Sequence, residues 1–153
     1  MYITVENQQS QIRLDSRRVE KMIRVIFRRE KIATARLNVI FVSRQKITAL
    51  NRRFLRQNQA TDVIAFDLTP ERLSYQRQSA PKGAIREVWG DIFISVDAAV
   101  RQSREFRTTV DYELKLYVAH GILHLLGYDD HAPGDIRLMR AKEAALMDLV
   151  NRQ

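Results

Sequence analysis

All three histidines of this chain fall within twelve residues, His120-Gly-Ile-Leu-His124-Leu-Leu-Gly-Tyr-Asp-Asp-His131. His120 and His124 are four apart, a spacing that stacks two side chains on one face of a helix and lets two imidazoles reach the same ion. Gly127 is placed to end that helix in a left-handed turn. The chain can then swing back and bring His131 to the same point from a loop. Three neutral imidazoles hold a divalent metal and leave a coordination position open, which separates a catalytic site from a structural one. The partial negative charge at a helix C-terminus also favours a cation there. A lone His-x3-His pair is often accidental. Three of three on a largely apolar helix and its exit weigh the other way, because a buried imidazole without a partner is costly. Zinc is the expected ion for such ligands, with nickel, cobalt or manganese as alternatives.

The residue between the first two ligands narrows the chemistry. A metallopeptidase helix reads H-E-x-x-H, with the glutamate as general base. Gly121 stands in that place here, so peptide hydrolysis of that kind lacks its proton acceptor. A glycine inside a helix also costs about 1 kcal/mol relative to alanine. Close approach of a strand or substrate would account for it, and so would plain packing of helix on sheet.

The elements that must position these residues follow from periodicity. Tyr2 to Val5 alternates and reads as an edge strand. Asp15 or Ser16 caps a helix running to about Lys31, with Val19, Met22, Ile23, Ile26 and Phe27 at helical spacing. Leu37 to Val42 is β-branched and apolar, a buried strand. Ser43 caps a second helix through about Leu55. Asp62 to Leu68 reads as a strand, and Thr69 to Glu87, with two prolines, a glycine and no clear period, as a mobile loop or functional flap. Val88 to Val96 is the next strand, and Asp97 caps a short helix to about Phe106. Thr108 with Asp111 has capping-box spacing and opens a third long helix, apolar nearly all round, that ends near Gly127 and belongs in the core. Gly134 and Asp135 start a last helix. The expected fold is a single α+β domain over residues 1–153. Its mixed sheet of about four strands, partly parallel because helices cross between them, packs with about five helices. The metal site lies at the C-terminal end of the central helix.

Composition bounds the partners. The 153 residues contain no cysteine, which excludes disulfides and thiolate metal cages and is compatible with a reducing cytoplasm. Neither a membrane-spanning run nor a secretory leader is evident, so a cytoplasmic location without membrane contact is expected. Lys and Arg number 26 against 18 Asp and Glu, a net charge of +8, and 20 of the 26 are Arg. Arginine grips phosphate with a planar fork, which suits a phosphodiester partner. A genome of high G+C content produces the same arginine excess without any such function.

The histidine segment HGILHLLGYDDH closely resembles the H-G-x-L-H-L-x-G-Y-D-H signature of the YbeY family of bacterial rRNA-maturation endoribonucleases. Leu50-Asn51 with Phe54, and Thr61-Asp62-Val63-Ile64-Ala65-Phe66, resemble the family's L-N and T-D-V-L-S-F block. Gly90-Asp91-Ile92 resembles its G-D-I strand, and Asp135, Met139 and Glu143 match D-x3-M-x3-E. The similarity runs from about residue 37 to 147. It implies a zinc-dependent, single-strand-selective endoribonuclease acting in 16S rRNA 3′-end maturation and ribosome quality control, with ribosomal subunits as partners. It implies His120, His124 and His131 as ligands, with His120 and His124 in catalysis. Two departures stand out. The family spaces its second and third histidines by six residues, whereas His124 and His131 are seven apart. One of Asp129 and Asp130 is the extra residue, and either is an alternative oxygen ligand. Many members carry a functional arginine just after the aromatic matching Phe54. Leu55 holds that place here, and Arg56, one step along, is the candidate catalytic cation.

The expected mechanism is metal-assisted phosphodiester cleavage, with Arg56 or Arg53 holding phosphate. Arg86 and the 69–87 loop are further candidates for RNA contact. Glu143 is a candidate to accept a hydrogen bond from a ligand histidine, or to pair with a buried arginine. The rival readings are a non-catalytic RNA-binding assembly factor with a structural metal, and a metal-dependent hydrolase of another substrate.

Overall fold

Leu37, Val39 and Phe41 point to one side of a strand whose other side carries Ile40 and Val42, and both sets are buried. A strand apolar on both faces must be covered on both, and this strand sets the layering of the molecule. The structure is a computed structural model that describes residues 1–55 and 61–153. The sheet has four strands, β1 (Tyr2–Gln8), β2 (Thr34–Val42), β3 (Val63–Asp67) and β4 (Glu87–Ser95), in the order β1-β2-β4-β3. β1 and β4 run parallel to β2, and β3 is antiparallel to β4, with Val39 opposite Ile92 and Ile64 opposite Phe93. The mixed sheet matches the expected one.

The helices are α1 (Ser16–Arg29), α2 (Arg44–Leu55), α3 (Glu71–Gln78), α4 (Val96–Glu105), α5 (Val110–Leu125) and α6 (Pro133–Asn151). α1 begins at Asp15, whose carboxylate accepts from the amides of Arg17 and Arg18 and satisfies two of the free N–H groups of its first turn. Its Met22, Ile23, Ile26 and Phe27 join Leu37, Val39, Phe41, Ile92, Ile94 and the inner residues of α5 in the main core. α2 covers the opposite face, where Ile40, Val42, Ile47 and Ile64 form a smaller cluster. Where α2 does not reach, that face is polar. Thr4 donates to Asn38, and Asn38 donates to Asp91, a chain of side-chain hydrogen bonds across three strands.

Three details differ from expectation. Residues 71–78 form the helix α3 where a loop was read. No residue of it is buried, so it has no apolar face to register as a period. The cap of α4 is Ser95, which accepts from the Ala98 amide. Asp97 instead accepts from the Arg44 amide at the start of α2. The cap of α5 is Thr109, which accepts from the Tyr112 amide at 3.0 Å, while Thr108 donates its hydroxyl to the buried Glu113.

α5 occupies the centre, against β3, β4, α1, α4 and α6. Two missing side chains let it sit there. A Cβ at Gly121 would lie 2.8 Å from Cγ2 of the buried Ile92, so the helix glycine serves packing of helix on sheet. A Cβ at Gly90 would lie 2.6 Å from the Phe66 carbonyl oxygen and 2.8 Å from a Leu125 methyl, so β4 needs a bare backbone where β3 and α5 converge.

Candidate metal centre

α5 ends as its residues foretell. Gly127 has φ +91°, its amide donates to the His124 carbonyl, and the Tyr128 amide donates to the Leu123 carbonyl, both at 3.0 Å. This paired closure by a left-handed glycine satisfies two of the last carbonyls of the helix and turns the chain back over its own end. On the far side of that end, Arg77 of α3 donates to the Leu125 carbonyl and pairs with Asp67 at 3.2 Å.

The reversal brings residues 129–131 beside the two helical histidines. Nε2 of His120 and Nε2 of His124 lie 2.9 Å apart. Oδ2 of Asp130 lies 3.6 Å from the first and 3.7 Å from the second. Nδ1 of His120 is hydrogen-bonded to the Glu143 carboxylate on α6. The carboxylate accepts from Nδ1, and the ring is turned so that Nε2 faces the cluster. Burial, then the neighbouring His120, pushes the His124 imidazole below its ordinary pKa, against an opposing pull from Asp130 and Asp129. Both effects favour the neutral, ligating form.

These groups line a cavity of about 390 Å³ together with Thr61, Asp62 and Tyr117. The Tyr117 hydroxyl is buried without a hydrogen-bond partner among the described residues. The Asp62 carboxyl is pushed up from its ordinary pKa by burial, partly offset by Arg101 and His120. Neither Tyr117 nor the cavity-facing place of Asp62 was singled out from the sequence. Tyr117 lies three residues before His120, the spacing that puts it on the same helix face.

The structure brings His120 and His124 together and does not bring His131 to them. The His131 side chain is 86% exposed, with Nε2 3.3 Å from Asp129. Asp130, the alternative ligand, stands in the third place. The reason is one of register: the turn after Gly127 aims the side chain six residues beyond His124 at the pair, and the next residue faces solvent. Glu143 is hydrogen-bonded to His120, as expected, and pairs with no arginine among the described residues. Arg53 lies over the Phe54 ring, 5.2 Å from its centroid. Arg86 is tied to the carbonyls of Gly83 and Ile85. Arg56 falls outside the described residues.

The donor set fits a metal ion. A triangle with sides of 2.9, 3.6 and 3.7 Å has a point about 2.0 Å from every corner, which agrees with zinc bonds of about 2.0–2.2 Å to imidazole nitrogen and carboxylate oxygen.

Residues 4–151 match the family model described as Endoribonuclease YbeY. The chain belongs to the YbeY family. Among relatives carrying the name Endoribonuclease YbeY, one from Syntrophus aciditrophicus is 34% identical over 99% of this chain and 91% of its own length. One from Anaeromyxobacter sp. is 42% identical over 74% of this chain and 54% of its own, and one from Anaeromyxobacter dehalogenans is 43% identical over 73% and 52%. The chain thus spans about half the length of the two Anaeromyxobacter relatives. A Thermotoga maritima protein solved in solution has a similar fold, with a TM-score of 0.65 and 28% identity over 97% of this chain and 88% of that one. Among the described residues no helix is long and apolar enough to cross a membrane.

Proposed function

We propose that this YbeY protein is a metal-dependent endoribonuclease that cleaves single-stranded RNA in rRNA processing, at the 3′ end of 16S rRNA. One observation carries the reading: His120 and His124 aim their Nε2 atoms at each other and at a carboxylate on the wall of an open cavity. The ion is zinc, held by His120, His124 and a third donor from the 129–131 turn, at the C-terminal end of α5. When bound, it supplies Lewis acidity towards a phosphodiester. The chain's own residues do the rest. Glu143 holds the proton on Nδ1 of His120 and fixes the ring. Partial burial at the end of α5 lowers the His124 pKa and so favours its neutral form. The net charge of +8 attracts a polyanion to the protein as a whole. Arg56, which follows Leu55 in the sequence, is proposed to hold the scissile phosphate. Ribosomal subunits are the proposed partners and the cytoplasm the proposed location.

The test is cleavage of a single-stranded RNA against a duplex control, with and without chelator. Activity is expected on the single strand alone, lost with chelator, restored by zinc, and absent from a folded His120→Ala/His124→Ala protein. Full cleavage by that double variant removes the proposed site. RNA binding without cleavage by the zinc-loaded wild type would favour a non-catalytic assembly factor.

A further inference from the structure

We infer that the third metal ligand of this chain is the carboxylate of Asp130, which makes the centre a two-histidine, one-carboxylate site, and that the imidazole of His131 is not a ligand. The inference rests on the metal-dependent reading above and sharpens it by naming the third donor.

Three observations converge. The left-handed Gly127 closes α5 and turns the chain back, so that Asp130, six residues after His124, comes beside the two imidazoles. Oδ2 of Asp130 is nearly equidistant from the two imidazole nitrogens, at 3.6 and 3.7 Å. His131 groups with Asp129 and Asp130 and not with the two helical histidines, and its side chain is 86% exposed. For His131 to replace Asp130, the turn would have to rotate a solvated ring inward and expel the carboxylate. The start of the turn is anchored by the amides of Gly127 and Tyr128 on the α5 carbonyls, and by Tyr128, which is buried in the main core. Its far end is anchored by α6, which begins at Pro133.

The exchange changes the chemistry of the centre. Two neutral imidazoles and one carboxylate leave a divalent ion with one unit of positive charge, where three imidazoles leave two. A carboxylate is also the harder donor. Relative to a three-imidazole centre, the site shifts its preference from zinc towards manganese and ferrous ions.

The test uses the full chain stripped by chelator and titrated with Zn2+ and Mn2+ against a chromophoric chelator, with X-ray absorption of the zinc form to count imidazoles. One zinc per chain with two imidazoles is expected. Asp130→Ala and the isosteric Asp130→Asn are each expected to lower zinc affinity by more than about 100-fold with the melting temperature of the metal-free protein unchanged. His131→Ala is expected to stay within about 3-fold of wild type, a difference too small for loss of a ligand. Asp130→His is expected to keep tight zinc binding, show three imidazoles and lose relative affinity for Mn2+. Three imidazoles in the wild type, or loss of zinc by His131→Ala with retention by Asp130→Asn, would overturn the assignment. Failure of the underlying reading looks different: the His120→Ala/His124→Ala protein would then bind zinc as tightly as wild type.

Discussion

Glu143, in the middle of α6, accepts the Nδ1 proton of His120, near the C-terminal end of α5, across 23 residues of chain. This contact ties the last helix to the centre. It fixes which imidazole nitrogen carries the proton and which way the ring faces. Removing such a partner from a metal-ligating histidine typically costs 10–100-fold in affinity. Glu143→Ala should therefore weaken zinc binding by about 10–100-fold, and Glu143→Gln, whose amide oxygen still accepts, by less. Chelator competition at fixed pH measures both, and unchanged affinity in Glu143→Ala would make the contact incidental to the metal.

Gly121 lies against Ile92, whose Cγ2 would be 2.8 Å from an added Cβ. Alanine raises helix propensity by about 1 kcal/mol, but overpacking a filled core costs about 1–3 kcal/mol. Ile92 is fully buried and branched at Cβ, so it has no room to yield. Gly121→Ala should be net destabilising in denaturant titrations. In an Ile92→Ala background the same change should become neutral or stabilising, and a penalty that persists there would assign the glycine to something other than packing.

Arg77 joins α3 to the C-terminal end of α5 through the Leu125 carbonyl and Asp67. α3 buries no residue of its own, so this contact is a large part of its anchorage. Arg77→Ala should cost about 1–2 kcal/mol locally. The expected result is faster amide exchange throughout residues 71–78 with little change in the exchange of β2 and β4. Uniform acceleration across the molecule would contradict it.

Asp62 sits in the cavity wall with its pKa raised, chiefly by burial. A raised value means that the folded state holds the carboxyl proton more tightly than the unfolded chain. The stability contributed is therefore present in acid, below the ordinary aspartate range, and lost as pH rises through the folded value. Asp62→Asn removes the titration. In chelator, the melting temperature of the variant relative to wild type should rise from about pH 4 to about pH 7. A constant difference over that interval would show that the carboxyl is not destabilised by folding.

The separation between what was legible and what was not runs along physical lines. Periodicity located α1, β2, β4 and α5, because an apolar face repeats at the spacing of the element that buries it. The four-strand mixed sheet followed from strands separated by helices. α3 left no such signature, because Leu73 and Tyr75 make no repeating apolar face and no residue of it is buried, and Arg77 links it to the end of α5. Capping residues were placed within a few positions and then exchanged, Ser95 for Asp97 and Thr109 for Thr108. Neighbouring polar side chains compete for the same amides, and the packing of α2 and Glu113 settled the competition.

Local sequence was sufficient to pair His120 with His124, since four residues of helix set their relation without help from the rest of the chain. It was also sufficient to end α5 at Gly127, the one residue there that takes φ +91° without strain. Which side chain of the next turn faces the pair was a matter for tertiary structure alone. Beyond the glycine the chain has no repeating geometry, and the choice between Asp130 and His131 depends on the burial of Tyr128, the start of α6 at Pro133 and the reach of Glu143 from that helix. A one-residue shift in a loop reads as minor in one dimension. Here it decides whether a carboxylate or an imidazole faces the His120–His124 pair.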